Sequence, residues 1–260
     1  MRAIGLFTAA APITQLALLA LFVPVPVAAR AQADSDALNL QQAAVACAVS
    51  PRLEVPRIGG LRVVGGQQTE ARSLFGPRDL LVIDGGTNAG LLLGQRFYLR
   101  RPVTLGEPSK TRPRAVHTSG WIRIVALNDA TAIASIDAAC GDILQGDYLD
   151  AFTPPAVPDG IDRTDVGGEP DFSALGRVLF GGDEARTGAA GDFMLIDRGA
   201  NAGVASGARM AIYRDHRTAG VPLASVGEGI VIAAAPETAL MRITLARDAV
   251  ETGDLVAPRK

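Results

Sequence analysis

Two stretches of this sequence are copies of one another. The 14 residues from Ile83 to Arg96 recur from Ile196 to Arg209 at a constant offset of 113, and eight of them are identical. The match extends on both sides, and downstream the offset falls to 107, so the first copy carries about six extra residues. We place them in the Pro-rich loop 102–113, because insertions belong in surface loops. Since a repeat decides architecture, we expect two copies of one structural unit.

The repeat also predicts the domain boundaries. We expect a first β repeat over residues 58–152 and a second over 174–260. Between them, residues 153–173 include four prolines and three glycines, a composition that cannot continue a strand and predicts a semi-extended linker. A short N-terminal segment, residues 34–57, precedes the first repeat.

Strand and turn signals fill both repeats. Apolar runs of four to seven residues alternate with Gly, Pro, Asn and Asp, and 29 glycines with 16 prolines are too many for a helical bundle. One face of this segment contains Ile122, Ile124 and Ala126 and the other contains Trp121, Arg123 and Val125, which is the period of a strand. We predict an all-β fold of two tandem small β-barrel-like repeats with about six strands each, after an N-terminal signal helix. In the first repeat the predicted strands lie near 61–65, 79–84, 95–101, 118–127, 130–137 and 147–152.

The most strongly repeated residues predict a tight turn. Glycines four residues apart mark places where a positive φ or the close approach of another strand excludes a side chain. Asparagine tolerates left-handed geometry, and aspartate accepts hydrogen bonds from backbone N–H groups. The predicted structural turn motif consists of Asp84, Gly86, Asn88, Gly90 and Gly94 in the first repeat, and Asp197, Gly199, Asn201, Gly203 and Gly207 in the second.

Residues 1–33 have the pattern of a secretory signal peptide. Arg2 supplies the positive start, an apolar stretch follows, and Ala31, Gln32 and Ala33 fit a cleavage site. The alternative is an uncleaved anchor, since the apolar stretch is long enough to span a membrane, although its prolines weigh against this. We expect an exported protein of the periplasm or outer envelope. Its only contact with the membrane would be through this segment, if the segment is not cleaved.

The chain has two cysteines, Cys47 and Cys140. Two is the minimum for one bridge, and disulfides persist in exported proteins. We therefore expect these two residues to form a disulfide. Two buried free thiols are the alternative, because a sequence does not show spatial adjacency.

Charge predicts one candidate binding face. The formal net charge is −2, which gives no electrostatic reason to expect nucleic acid. An arginine cluster with few acids nearby in the sequence comprises Arg96, Arg100, Arg101, Arg112 and Arg114. This cluster is suited to an anionic glycan or lipid, and Trp121, the single tryptophan, to a glycan or protein partner. The alternatives are a solvated edge strand and a tryptophan that covers the barrel end.

Catalytic motifs are weak. The segments around Asp84 and Asp197 resemble the Asp-Thr-Gly signature of aspartic proteases, in which two carboxylates share one proton. The hydroxyl residue after the aspartate is a glycine in one repeat and an arginine in the other. His117 and His216 occupy non-equivalent positions, and no serine lies in a G-x-S-x-G motif. We expect no enzymatic activity, no cofactor and no metal, and we keep a secreted hydrolase using Asp84 and Asp197 as the alternative.

The strand, glycine and Gly-Asp pattern resembles the small β-domains of bacterial envelope proteins. It is similar to the C-terminal domain of the flagellar assembly protein T family, to modules that accompany LysM peptidoglycan-binding domains and, more loosely, to the periplasmic barrel of the MreC family. Besides the turn glycines, the positions that carry the resemblance are Gly120, Gly146, Asp147, Gly227, Gly253 and Asp254. The resemblance implies a non-catalytic scaffold or adaptor that binds another envelope component, a protein or peptidoglycan. No separate LysM domain is visible in the sequence, so the ligand and the oligomeric state stay open.

Overall fold

A computed structural model of the protein describes residues 37–52, 60–68, 70–104, 114–164 and 167–260. The predicted signal peptide, residues 1–33, and most of the predicted insertion lie outside these residues. Residues Leu38–Lys260 form one compact unit in which both repeats pack together. In the described part of the chain, no helix is both long and apolar enough to cross a membrane.

The first repeat, which we call unit one, is an antiparallel sheet that curls into a half barrel. Its strands are β1 (Val63–Gly66), β2 (Leu74–Phe75), β3 (Leu80–Ile83), β4 (Arg96–Thr104), β5 (Arg114–Leu127), β6 (Ala132–Ala139), β7 (Ile143–Leu144) and β8 (Tyr148–Ala151). Six of them pair in the order β1-β3-β6-β5-β4-β8, and β2 pairs with β7. An isolated bridge between Arg62 and Tyr148 brings the two ends of the sheet together.

The second repeat, unit two, is a closed six-stranded barrel. Its strands are β9 (Gly176–Gly181), β10 (Thr187–Gly188), β11 (Phe193–Ile196), β12 (Arg209–Arg214), β13 (Ala224–Ala234), β14 (Ala239–Ala246), β15 (Val250–Glu251) and β16 (Leu255–Pro258). The barrel order is β11-β14-β13-β12-β16-β9, and β10 pairs with β15. The barrel and the curled sheet confirm the predicted all-β fold with two barrel-like units of about six strands.

One α-helix, α1 (Leu40–Cys47), precedes unit one in the described chain. The Asn39 side chain accepts a hydrogen bond from the Gln42 N–H at 2.8 Å, and the Gln42 side chain accepts one from the Asn39 N–H at 3.1 Å. This capping box satisfies two N–H groups that a helix start leaves unpaired. The helix ends at Ala48, whose backbone is extended. Single-turn 3-10 helices lie in the described connections at Thr87–Ala89, Phe172–Ala174, Gly182–Glu184 and Ala200–Ala202.

Each unit has an apolar core of its own. Alternate residues of a strand point to the same side of a sheet, so one face of every strand can be apolar. The inward residues of β6 are Ala132, Ala134 and Ile136, and those of the equivalent strand β14 are Ala239, Met241 and Ile243. Burial of each large aliphatic side chain stabilises the fold by about 1.5–3 kcal/mol.

A third apolar cluster joins the two units. Unit two turns a second set of large apolar side chains outward, and α1, the linker and the β4–β5 hairpin cover them. The cluster contains Phe180, Leu195, Ile230, Ile232 and Leu240 of unit two, together with Val45, Val49, Val103, Ala115, Val157 and Ile161. The barrel of unit two is therefore apolar both inside and on this outer face, which we call the covered face.

The predicted disulfide is confirmed: Cys47 and Cys140 are bonded. The bond joins the last residue of α1 to the residue that follows β6. Ala46, Tyr98 and Trp121 are buried in the same cluster. One side of α1 thus packs on unit one, while Val45 and Val49 contact the covered face of unit two.

Removal of this disulfide should destabilise the protein. We expect the double variant Cys47→Ala/Cys140→Ala to lose about 2–5 kcal/mol of unfolding free energy, because the bond closes a long loop in the unfolded chain. Chemical denaturation under oxidising conditions measures the loss. Reductant should lower the wild-type midpoint to that of the variant and leave the variant unchanged. A wild type whose midpoint survives complete reduction would contradict the prediction.

Candidate functional site

The two repeated aspartates bind the backbone of their own units. Asp84 Oδ1 accepts a hydrogen bond from the backbone N–H of Arg62, and Asp197 Oδ1 accepts one from Arg177. In return, the N–H of Asp84 donates to the Arg62 carbonyl at 3.1 Å, and that of Asp197 donates to the Arg177 carbonyl at 3.0 Å. Each carboxylate therefore ties the end of one strand to the start of its neighbour, which is the role of a turn-capping aspartate.

The glycines of the turn motif accommodate a close backbone approach. The N–H groups of Thr87 and Ala200 donate to the carbonyls of Asn128 and Ala235 at 3.0 and 2.8 Å. A Cβ at Gly86 would lie 2.0 Å from the Asn128 oxygen. The equivalent Cβ at Gly199 would lie 2.2 Å from the Ala235 oxygen. The other glycines of the motif have positive φ: Gly90, Gly94, Gly203 and Gly207.

The asparagines of the motif hydrogen-bond through their backbone. The N–H groups of Asn88 and Asn201 donate to the carbonyls of Asp129 and Pro236 at 3.0 and 2.9 Å.

The arginines of the predicted binding face are in ion pairs. Arg96 lies 3.3 Å from Asp137, Arg100 lies 3.3 Å from Asp150, and Arg101 lies 3.6 Å from Asp147. These acids follow or belong to other strands, so they are distant in the sequence and close in the fold. Most of the charge on this face is thus neutralised within unit one, which leaves little to attract an external anion.

Trp121 lies beneath α1. It is 6% exposed, and its ring meets those of Tyr98 and Phe152 at centroid distances of 6.3 and 6.1 Å. The guanidinium of Arg96 covers the Phe152 ring at 3.8 Å. This indole packs the helix onto unit one and is not presented to solvent as an anchor for a glycan or a partner.

A cavity of about 350 Å³ lies where the β4–β5 hairpin meets unit two. Its apolar wall is Val49, Val103 and Phe180, and its polar lining includes Arg101, His117, Asp183 and Glu184. His117 Nδ1 is 3.5 Å from Asp183 Oδ1. Asp183 and Glu184 have φ values of 51° and 60°, in the left-handed region that costs non-glycine residues energy.

The environment of His117 disfavours its charged form. Burial is the largest cause that lowers its pKa from the usual value, and the Arg101 guanidinium lowers it further. The carboxylates of Asp183, Asp147 and Asp142 act in the opposite direction and do not overcome these two effects. His117, which lies at the contact between the units, is therefore uncharged near pH 7.

One exposed apolar surface lies on unit one. Leu92 and Leu93 are each 66% exposed and Val125 is 45% exposed. The loop that carries the leucines lies against β5, because the Gly94 N–H donates to the Ile124 carbonyl at 2.8 Å. Half-buried Val82 and Ile133 pair with each other across β3 and β6 and extend this surface. We call these five residues the Leu92 patch.

Three residues of the Leu92 patch occupy positions that correspond to the covered face of unit two. Val82, Val125 and Ile133 align with Leu195, Ile232 and Leu240, which are buried beneath α1, the linker and the β4–β5 hairpin. In unit two the leucines are replaced by Ala205 and Ser206, which lie at exposed positions beside the covered face, and the Ser206 hydroxyl donates to the Ile232 carbonyl at 2.8 Å. The same face of the repeat is covered in one unit and open in the other.

The Leu92 patch was absent from the residues that the sequence predicts for binding. The sequence feature that could have identified it is the difference between Leu-Leu-Leu at 91–93 and Val-Ala-Ser at 204–206, within the best-matched part of the repeat. The predicted residues Arg96, Arg100, Arg101 and Trp121 lie on the part of unit one that packs near α1 and the cavity. No cluster of three or more potential metal ligands occurs among the residues that the structure describes.

Comparison with known proteins leaves the chain without an assigned family. No protein-family model matches it, and no curated protein matches its sequence. The resemblance to envelope β-domains therefore stays a prediction.

Gly86→Ala and Gly199→Ala should each destabilise the fold. The new methyl group meets backbone oxygens that cannot move without breaking the turn, and overpacking of this kind costs about 1–3 kcal/mol. Gly76→Ala is the matched control, because a Cβ there has nothing within 4 Å. Urea denaturation measures the three variants. Equal midpoints for Gly86→Ala and Gly76→Ala would show that the turn tolerates a side chain.

His117 should make stability depend on pH. Because its folded-state pKa lies below the unfolded value of about 6.5, the unfolded chain binds the proton more readily. The stability contributed by neutral His117 is fully present above that value and is lost as the pH falls through the lower, folded-state pKa. When the pH is lowered from about 7 to about 5, the melting temperature of His117→Gln should fall less than that of the wild type.

The control for this measurement is His216→Gln, since His216 lies in an exposed loop. That variant should follow the wild-type pH profile of melting temperature. A wild-type pH slope retained in His117→Gln would assign the effect to other groups.

Proposed function

We propose that this protein is an exported, non-catalytic scaffold or adaptor of the bacterial cell envelope that binds another envelope protein through the Leu92 patch. One observation carries the proposal: the face that the chain covers in unit two is open in unit one. Contiguous exposed apolar surface is uncommon on soluble proteins and marks interaction sites. Two adjacent exposed leucines give this surface larger apolar side chains than the alanine and serine that unit two carries at the equivalent positions.

The chemistry of the patch favours a protein over peptidoglycan as the bound component. Leu92, Leu93 and Val125 offer aliphatic surface, which gains free energy from burial against other apolar side chains. Glycan recognition relies on exposed aromatic rings and polar groups, and Trp121 is buried. An envelope protein with an apolar segment is the partner that this surface suits.

The use of the two repeated aspartates supports a non-catalytic role. Asp84 and Asp197 each accept a backbone N–H within their own unit. A pair of catalytic carboxylates would instead converge on one shared site. The carboxylate geometry gives no support to the alternative of an aspartic-protease-like hydrolase.

Two features support export. Residues 1–33 carry the signal pattern, and a protein with a Cys47–Cys140 disulfide suits an oxidising compartment. The resemblance to envelope β-domains points to the periplasm or outer envelope in the same way.

The proposal is tested by crosslinking in intact cells followed by recovery of the tagged protein. The test variant is Leu92→Ala/Leu93→Ser, which installs the residues that unit two carries at these positions and so suits the turn. Loss of two exposed leucines from an interface should reduce recovery of the partner about tenfold or more. The quantity of crosslinked partner, normalised to the tagged protein, is measured by mass spectrometry.

Leu40→Gln is the matched control, because Leu40 is an exposed leucine on α1, outside the patch. It should recover the partner at the wild-type level. Recovery of the same partner in equal amount by Leu92→Ala/Leu93→Ser would remove the patch from the proposed function.

A further inference from the structure

We infer that the partner of the Leu92 patch is a second molecule of this protein, which inserts the tip of its β12–β13 hairpin, so that molecules associate head to tail. The inference rests on the proposed function, in which the patch is a binding surface. It is carried by the contact between the two units of one chain, because that contact shows which element of the repeat covers this face.

Within the chain, the β4–β5 hairpin of unit one reaches the covered face of unit two. Val103 of β4 and Ala115 of β5 lie in the same apolar cluster as Leu195 and Ile230 of the barrel. Farther from the tip of the hairpin, His117 faces Asp183 across the cavity. A hairpin of one repeat against the outer face of the next is therefore an arrangement that this repeat already forms.

The equivalent hairpin of unit two has no such neighbour in the described chain. It is formed by β12 and β13, and its connection ends in the apolar residues Val221, Pro222 and Leu223. Val221 is 48% exposed and Pro222 is exposed as well. Unit two thus presents an uncovered hairpin, while unit one presents the uncovered face that such a hairpin meets.

A contact of the same kind between molecules, made by the tip of the shorter β12–β13 hairpin, would bury both surfaces. The contact joins different surfaces of the two molecules, so it is heterologous, and an open complex keeps a free face and a free hairpin at its ends. Association therefore proceeds to chains of molecules, which stop growing only where the geometry closes a ring.

The differences between the two faces predict a weaker contact than the internal one. Arg123 replaces buried Ile230 and is paired with Asp137 at 3.1 Å, so part of the face is polar. α1 and the linker, which cover much of unit two, have no counterpart in the contact between molecules. Leu92 and Leu93 supply apolar surface in their place, which favours a reversible association.

Sedimentation velocity of purified residues 34–260, which contain the whole compact unit Leu38–Lys260, tests the inference. The wild type should sediment faster as its concentration rises, and its distribution should extend beyond a dimer. The face variant is Leu92→Ala/Leu93→Ser and the hairpin variant is Val221→Asp. Each variant changes only exposed positions. Each alone should associate with a dissociation constant at least tenfold above the wild-type value, so that it is monomeric at concentrations where the wild type forms chains.

An equal mixture of the two variants is the decisive sample. The hairpin of the face variant is intact, and so is the face of the hairpin variant, so one productive contact remains and the mixture should form a dimer and nothing larger. A mixture that stays monomeric while the wild type associates would overturn the inference, as would self-association of either variant at wild-type strength.

The outcome separates this inference from the proposed function. A wild type that is monomeric at every concentration overturns the inference. Recovery of a different envelope protein in the cell experiment, lost in Leu92→Ala/Leu93→Ser, would then leave the proposed function in place. If the wild type forms chains in solution and its recovered partner is the protein itself, the inference is supported and the partner in the proposed function is a second copy of this chain.

Discussion

The two units depend on a short helix held between them. Eight residues are too few for an isolated helix to be stable in water, so α1 relies on its capping box, its disulfide and its packing. Val45 contacts the covered face of unit two, whereas Ala46 and Cys47 pack against unit one. Because the disulfide fixes the end of α1 beside β6, the apolar side of the helix stays aimed at unit two. Together with the linker and the β4–β5 hairpin, the helix buries the outward apolar residues of that barrel.

Buried charge pairs show how the repeat has diverged around a shared framework. Arg214 binds Asp254 through two hydrogen bonds of 2.9 and 2.8 Å, and the hydrogen bond to Asp254 raises the pKa of Arg214. The equivalent pair in unit one, Arg101 and Asp147, is 3.6 Å apart. Arg101 also donates to the Ser119 hydroxyl and lies beside His117 in the cavity. The aspartate closes the turn in both units, because Asp147 accepts the Leu144 N–H at 3.0 Å and Asp254 accepts the Glu251 N–H at 2.7 Å. Of the two arginines, Arg101 also lines the contact between the units.

Sequence patterns predicted the parts of the fold that depend on local periodicity and on the repeat. Alternation places Ile122 and Ile124 inside, as observed, and the two cysteines pair. Ala126, expected on the same face, is exposed, because the pairing register shifts between Ile124 and Ala126. The helix was missed, although Asn39 and Gln42 form a capping box at the required spacing. The ion pairs of the arginine face were also missed, because their acids come from other strands. Side-chain exposure at Leu92 is a property of the whole fold, since it depends on which elements cover each unit.

The outer face of unit one is exposed and that of unit two is covered, and this difference raises the question of why the exposed face carries apolar residues. A face without a neighbour gains nothing from aliphatic side chains, and substitution toward polar residues would raise solubility at no structural cost. Arg123 follows that expectation, since it stands where unit two buries Ile230. Leu92 and Leu93 oppose it, since unit two carries alanine and serine at the same turn, which shows that the turn does not require leucine. Large apolar residues that the local structure does not need, beside a face that the repeat covers in unit two, are best explained by a contact outside the chain.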